Sequence, residues 1–571
     1  MSGSRGQSGA VVLKKLFADT FASFATKRVK LGQVVTLKGH TVLNVGGGNF
    51  IGVASGTPDT GSCSATATAG IFVVRQNPKK NPYEFGFLDG GVDVSVAANA
   101  CATVYGEVNL DGGKTYNQQY QINTRKIFGV GNGPAILNLT SPTANGRFGG
   151  PVSGTQNMTA VYFAGAVGNP LIGAECQNII INCNSLILST GTVGVKGFVF
   201  FRCKNFYQRN CIVNNCASYA YWDNDTSGTG TTYCSGVRDD CWAVDAQVSF
   251  EQVNVRGITL NNCHGYISSA VLSYAVEAIF HSYGGIDMQV AYNNCTGVAD
   301  GICPAIFLGL LECQNVTFSD CQLINNYNNG ASIQAAVYLD ASGSSNFNNI
   351  NFKNCLLKSE YTNAVGLTVG STANVDNSFS FTDCEIYGYG VAVQLNGTGG
   401  RYYFSECETK ARATLAVTPF CYYGNGVPAD VQISGGVAKA STTGSGTPTA
   451  TNLSYGIFNG TVLVPNTRQQ PKVKQRSVGR AVISGDGSTY ANLNVTLGGA
   501  VSGWTSVTVG TQKVTAVLTI DYGQSGAANL PAAVAMCYPY VYAMVANDIC
   551  RFVLPQAAQG KTAVYEVTEW E

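Results

Sequence analysis

Charge is scarce in this sequence. Asp, Glu, Lys and Arg make up 12% of it, and the two signs almost cancel at a formal net charge of +1. That balance leaves no basic surface for nucleic acid and no acidic tail. No apolar run is long enough to span a membrane, and the opening MSGSRGQSGAVVLKKLF lacks the hydrophobic stretch of a secretion signal. Neither a membrane segment nor export is therefore expected, and synthesis in a cytoplasm is. Histidine occurs three times, as His40, His264 and His281, so a catalytic triad has little imidazole to draw on. Metal-ligand spacings, a phosphate-binding glycine loop and a nucleophile elbow are all missing, and no cofactor or metal is expected.

Glycine, aromatic residues and cysteine are plentiful instead: Gly 68, aromatics 10% and Cys 20 in 571 residues. Nine cysteines spaced 22 to 34 residues apart each follow an Asn, Asp or Glu, at Asn182-Cys183, Asn210-Cys211, Asp240-Cys241, Asn262-Cys263, Asn294-Cys295, Asp320-Cys321, Asn354-Cys355, Asp383-Cys384 and Glu406-Cys407. The text around them is alike (IIINCNSL, ITLNNCHG, VTFSDCQL, INFKNCLL, FSFTDCEI): a short alternating strand, a polar turn residue, then a small apolar one. An uneven period of 20 to 35 residues without helical patterning predicts an all-β chain wound as a right-handed parallel β-helix, a single-stranded solenoid. Stacked rungs lie about 4.8 Å apart, and turns of variable length leave the stack undisturbed. The cysteines form a column of buried, reduced thiols, and the preceding Asn or Asp tolerates left-handed geometry and builds a side-chain ladder.

Around this solenoid the chain divides into five stretches. Residues 1–28 hold one amphipathic helix over 10–27, with Val12, Leu13, Leu16, Phe17, Phe21 and Phe24 on one face, suited to anchoring or to a trimer bundle. Residues 29–85 form a small β domain and 86–440 the β-helix, opened by a cap helix near 94–104 that shields its end strands. Residues 441–477 are a Ser/Thr/Gly-rich linker, and 478–571 an antiparallel β-sandwich or jelly roll for trimerisation, capping or carbohydrate binding.

The segment FGFLDGGVDVSVAANAC followed by VNLDGGKTYN resembles the opening of the pectate-lyase-like β-helix of bacteriophage tailspikes. Upstream, GQVVTLKGHTVLNVGGGNF resembles the small domain that links such spikes to the virion. The resemblance spans roughly residues 30 to 430, with Val92-Asp93-Val94 standing where paired acids are usual. It implies a homotrimer in the virion tail, attached through its N-terminus to a tail or baseplate protein. Such a spike is made in the host cytoplasm and acts at the bacterial cell surface on capsule, exopolysaccharide or O-antigen.

The repeat also sorts the acids. Asp240, Asp320, Asp383 and Glu406 occupy the turn position and are structural. Upstream of the cysteines, AYWDND from Ala220, AQVSFE from Ala246, AIFHSY from Ala278, AIFLGL from Ala305 and AVYLDA from Ala336 align on their alanines. That alignment sends Trp222, Val248, Phe280, Phe307 and Tyr338 inward. It sends outward Tyr221, Asp223 and Asp225; Gln247, Ser249 and Glu251; and Ile279, His281 and Tyr283. On this register Asp225 and Glu251 lie roughly 5 to 6 Å apart and Asp223 about 10 Å from His281, separations that bracket retaining and inverting glycosidases. The expected catalytic residues are Asp223, Asp225, Glu251 and His281. Tyr221, Trp242, Tyr283, Arg238 and Asp239 are expected to bind substrate, with Glu277, Asp287, Tyr219 and Tyr274 near by. The leading expectation is an endo-glycosidase. Two alternatives stand: a lyase using His281 and Tyr283 for β-elimination on a uronic-acid polymer, and a receptor-binding spike without cleavage.

Overall fold

The structure is a computed structural model. It describes residues 16–140, 159–186, 194–225, 233–284 and 288–443 apart from short interruptions, and beyond them seven strands between 473 and 570. The chain begins with a five-stranded sheet, in order Leu16–Ala18, Val34–Leu37, Gly48–Val53, Phe72–Arg75, Cys63–Ala65. The helix expected over 10–27 is not what its described part, residues 16–27, forms. Its first part lies outside the described residues, Leu16–Ala18 is a strand paired in parallel with Val34–Leu37, and Phe21–Thr26 is a single 3-10 segment. An i, i+3 spacing suits a 3-10 turn as well as an α-helix. Phe21 and Phe24, the pair at that spacing, are buried against Phe50 at 6.0 and 4.7 Å between ring centres, whereas Phe17 is half exposed. Burial in the sheet's own core decides the conformation.

The helix Ser95–Tyr105 follows, and its Ala97, Ala98, Cys101 and Ala102 join the same core as the strands beyond it. From Glu107 to Ser434 a 12-stranded sheet pairs every strand in parallel with its equivalent one coil on, as in the row Val290, Val316, Ile350, Phe379, Tyr402 and Val431. A second, 21-stranded sheet carries the remaining sides. This is a parallel β-helix. Its lumen is packed by like residues stacked at the strand spacing: the rings of Tyr292, Phe318, Phe352, Phe381 and Phe404 lie nearly parallel, with centroid steps of 4.2, 4.8, 5.1 and 4.9 Å.

The Asn/Asp-Cys signature marks one corner of the coil. Asn210, Asp240, Asn262, Asn294, Asp320, Asn354, Asp383 and Glu406 all have φ between 50° and 57°. Asn and Asp tolerate that region best among residues bearing a side chain, and the next coil places Gly435 there at φ 66°. Side-chain amides climb the corner: Asn210 donates to Asn178 at 3.0 Å, Asn294 to Asn262 at 2.6 Å and Asn354 to Asp320 at 2.6 Å. Each following thiol points inward and donates to the carbonyl two residues before it, at 3.2 to 3.5 Å. The eighteen described cysteines are all buried and unbridged. The column has eight members, not nine. Asn182 lies in the other sheet, paired with Asn214, and the corner of that coil is Asn178-Ile179, with Asn178 at φ 57°.

After Val437–Thr443, the expected linker falls mostly outside the described residues. The C-terminal strands then form two antiparallel sheets, one of Val473–Val482, Thr562–Trp570 and Val514–Asp521, the other of Ser484–Gly485, Tyr490–Thr496, Ile549–Pro555 and Tyr540–Ala546.

Candidate active site

The pairing register places each candidate on one side of the wall or the other. Phe198, Tyr221, Phe250, Phe280 and Phe307 are lateral neighbours and stack inside. The next lateral row is Phe200, Asp223, Gln252, Ser282 and Gly309. Tyr221 and Asp223 therefore face the lumen, not the solvent. The Tyr221 hydroxyl donates to the carbonyls of Cys211 and Trp242 at 2.7 and 2.9 Å. Arg238 is also interior: its two terminal nitrogens donate to the Asp223 carboxylate at 2.8 and 2.9 Å, its Nε to Gln208 at 2.8 Å, and both ion-pair side chains have no exposure. Burial opposes the guanidinium's charge, but the carboxylate beside it more than offsets this and holds its pKa above the ordinary value. Asp223, Tyr221 and Arg238 are thus a lumenal ion pair and its neighbour, without access to a polymer.

The outer surface of the same strands carries three rows. The middle one runs Trp222, Glu251, His281, Leu308, Tyr338. On one flank are Tyr219, Val248, Ala278, Ala305 and Ala335, and on the other Asn224, Val253, Tyr283, Leu310 and Asp340. Trp222, Val248 and Tyr338, expected inside, are outside. Glu251 and His281 face outward, but as direct lateral neighbours, where the alignment on the alanines set His281 beside Ser249 and Glu251 beside Tyr283; His281 Nδ1 and Glu251 Oε2 are 3.1 Å apart and both residues are buried. His281 Nε2 and Trp222 Nε1 are buried without a hydrogen-bond partner among the described residues. Tyr283 packs edge-on to His281 at 6.1 Å.

Sequence reasoning missed Lys196. Its ammonium sits 4.5 Å over the Trp222 ring and 5.5 Å over that of Tyr219. Burial lowers its pKa from 10.5 to about 8, against the opposing charges of Cys216 and Glu251. The Tyr219 phenol is pushed well above its usual range, by burial first and then by the charges of Glu251, Glu277 and Tyr283. Glu251 and Glu277 therefore both bear on one phenol by their charge. The signal for Lys196 was its place on an apolar strand, KGFVFF, where a lone cation has to be accounted for.

The other candidates stand apart. Asp225 is buried and ion-paired to Arg202 at 3.2 Å, not placed with Glu251. Asp239 belongs to an outer polar ladder, accepting from Asn261 at 2.8 Å, as Asn261 does from Asn293 at 2.9 Å. Trp242 is exposed and packs on His264 at 4.3 Å; it lies at the head of its strand, beyond the corner that separates it from Glu251. Tyr274 donates to the Asp245 carbonyl. Asp287 lies outside the described residues.

These sheets define a parallel β-helix protein with a buried polar cluster on its outer wall. No family model and no curated protein matches the sequence. Among solved structures the chain is similar to the tailspike protein of Acinetobacter phage vB_ApiP_P1, with 10% identity, a TM-score of 0.44, and 98% of this chain and 99% of that one covered. It is similar as well to a tailspike of Acinetobacter baumannii bacteriophage Fri1, described as a capsular polysaccharide depolymerase, with 13% identity, a TM-score of 0.42, and coverage of 97% and 98%. A third likeness is to the A-module of a mannuronan C-5 epimerase from Azotobacter vinelandii, with 14% identity, a TM-score of 0.34, and coverage of 68% and 99%.

Proposed function

We propose that the chain is a bacteriophage tailspike that binds and depolymerises a bacterial surface polysaccharide, and that the Glu251–His281 pair on its outer wall is the reactive centre. The observation that carries this is the joining of Glu251, His281, Lys196, Trp222 and Tyr219 on adjacent rungs, where a wall of straight strands offers a rigid bed for an extended polymer. Hydrolysis needs two carboxyl groups about 5 to 9.5 Å apart. With Asp223 and Asp225 committed to arginines, Glu277 takes the second place. Glu251, with the Lys196 charge beside it, activates the water or attacks the anomeric carbon, and Glu277 protonates the leaving oxygen. Trp222 and Tyr283 bear on the sugar rings.

A second reading has its own support. The unpartnered His281 Nε2 is the kind of atom that removes a proton beside a uronate carboxyl group, leaving an unsaturated product. Reducing ends released from host polysaccharide test both readings, and ultraviolet absorbance of the product marks elimination alone. Glu251→Gln is expected to lower the rate by about 10² to 10⁴ with unchanged circular dichroism. Full activity in that variant sinks the site, and binding without any shortening of the polymer leaves a receptor-binding spike. A homotrimer anchored through the N-terminal β domain completes the proposal, and sedimentation of the full chain at three times the monomer mass checks it.

A further inference from the structure

Three rungs past Trp222 the outer wall changes character. His281 is followed laterally by Leu308 and then Tyr338, while the flanking rows turn to Ala305, Ala335 and Leu310. These five residues line a groove of about 540 Å³, together with Val276 and Pro304 and with Gln247 and Glu277 as its polar members. Its floor is not part of the lumenal core. Ala278, Ala305 and Leu308 form a buried apolar cluster of their own on the outer side, with Leu310 and Tyr338 packed against it.

An outer wall facing only water has no reason to assemble such a cluster, because each exposed apolar contact there forgoes burial. The groove is moreover continuous with the candidate active site. Leu308 is the direct lateral neighbour of His281, and Glu277 both lines the groove and acts with Glu251 on Tyr219. Whatever lies across Glu251 and His281 continues one rung on, about 4.8 Å, into an apolar bed.

A sugar ring bearing only hydroxyl groups would lose hydrogen bonds on entering it. We infer that the groove is a subsite for a sugar carrying a methyl-bearing substituent, an acyl group or a 6-deoxy carbon, adjacent to the one held at Glu251–His281. This rests on the reading of that pair as the reactive centre.

The test is saturation-transfer nuclear magnetic resonance on the full chain with three probes: methyl L-rhamnoside, methyl N-acetylglucosaminide and methyl glucoside. The expected result is preferential transfer to the C6 methyl of the first or the acetyl methyl of the second, with about fourfold tighter binding than the glucoside for one buried methyl. Which of the two is preferred separates a deoxy from an acyl substituent. Leu308→Gln abolishes the preference and Leu308→Met keeps it; should Leu308→Gln fail to fold, Leu310→Gln at the rim takes its place. Equal transfer to all three probes, or a preference that survives both glutamine variants, overturns the inference. That result together with normal Glu251-dependent cleavage removes the groove alone. A methyl preference in a protein that cleaves no polymer supports the groove and removes the depolymerase reading.

Discussion

Lys196 and Arg238 are both buried cations, and their surroundings give them opposite fates. Arg238 has a bidentate carboxylate, so its charge is permanent and its role inside the lumen is structural. Removing one partner leaves an uncompensated buried charge, which costs about 3 to 5 kcal/mol. Arg238→Met is therefore expected to lower the unfolding midpoint sharply, and Arg238→Met with Asp223→Leu to recover most of the loss, as measured by denaturant unfolding. Lys196 has aromatic faces and a pKa of about 8, against 10.5 in the unfolded chain. Below about 8 both states carry the proton. Between about 8 and 10.5 only the unfolded state binds it, so stability attributable to this group rises with pH across that window and is flat below it. Activity moves the other way: the cation beside Glu251 is lost as the pH rises through about 8. The alkaline limb of kcat/KM is expected near that value, and Lys196→Arg, always charged, is expected to carry the limb to higher pH. A limb that stays in place in Lys196→Arg assigns it to another group.

At the scale of the element, the corner residues and the strands between them were unequally legible. The corner announces itself because its left-handed φ recurs in every coil, and Asn or Asp followed by Cys fills it with little variation. Asn354→Val, which forces a β-branched residue into that φ, is expected to cost about 1 to 2 kcal/mol, and Asn354→Gly far less, by thermal unfolding. The strands carry no such mark. Alanine was the anchor for aligning them, yet Ala220 and Ala336 face the lumen while Ala278 and Ala305 face out, because a methyl group fits either side. A one-residue slip flips every side chain of a strand. It sent Asp223 and Tyr221 out and Trp222 in, whereas the rung at Ala246 slipped by two and kept Glu251 on the correct side. The aromatic column Tyr221, Phe250, Phe280 and Phe307 sets the true register, since rings of that size pack only where the lumen receives them. Asp225 was lost to a different cause, Arg202 one coil earlier in the chain, whose partner no periodicity shows.

For the molecule as a whole, the end of the solenoid is the vulnerable point, and its protection lies in a few small side chains. A stack of parallel strands ends in a row of unpaired backbone groups, a ready template for another chain. Here the helix Ser95–Tyr105 precedes the first coil strand, Glu107–Asp111, and puts Ala97, Ala98, Cys101 and Ala102 into the core that the lumen continues. Valine is kept to the outside of this helix, where Val96 is 71% exposed, so the face against the stack stays thin enough for close approach. The small β domain before it has a separate core around Phe24, Phe50 and Val73 and shares none of those residues with the lumen. Two truncations separate the roles. A chain starting at Asn77 keeps the cap and is expected to stay soluble and to release reducing ends from isolated polysaccharide at the full-length rate. A chain starting at Glu107 lacks only the cap and its approach, yet is expected to associate through the bared strand edge, detected as a growing light-scattering mass. Equal solubility of the two would mean that the first coil strand protects its own edge and that the helix serves another purpose.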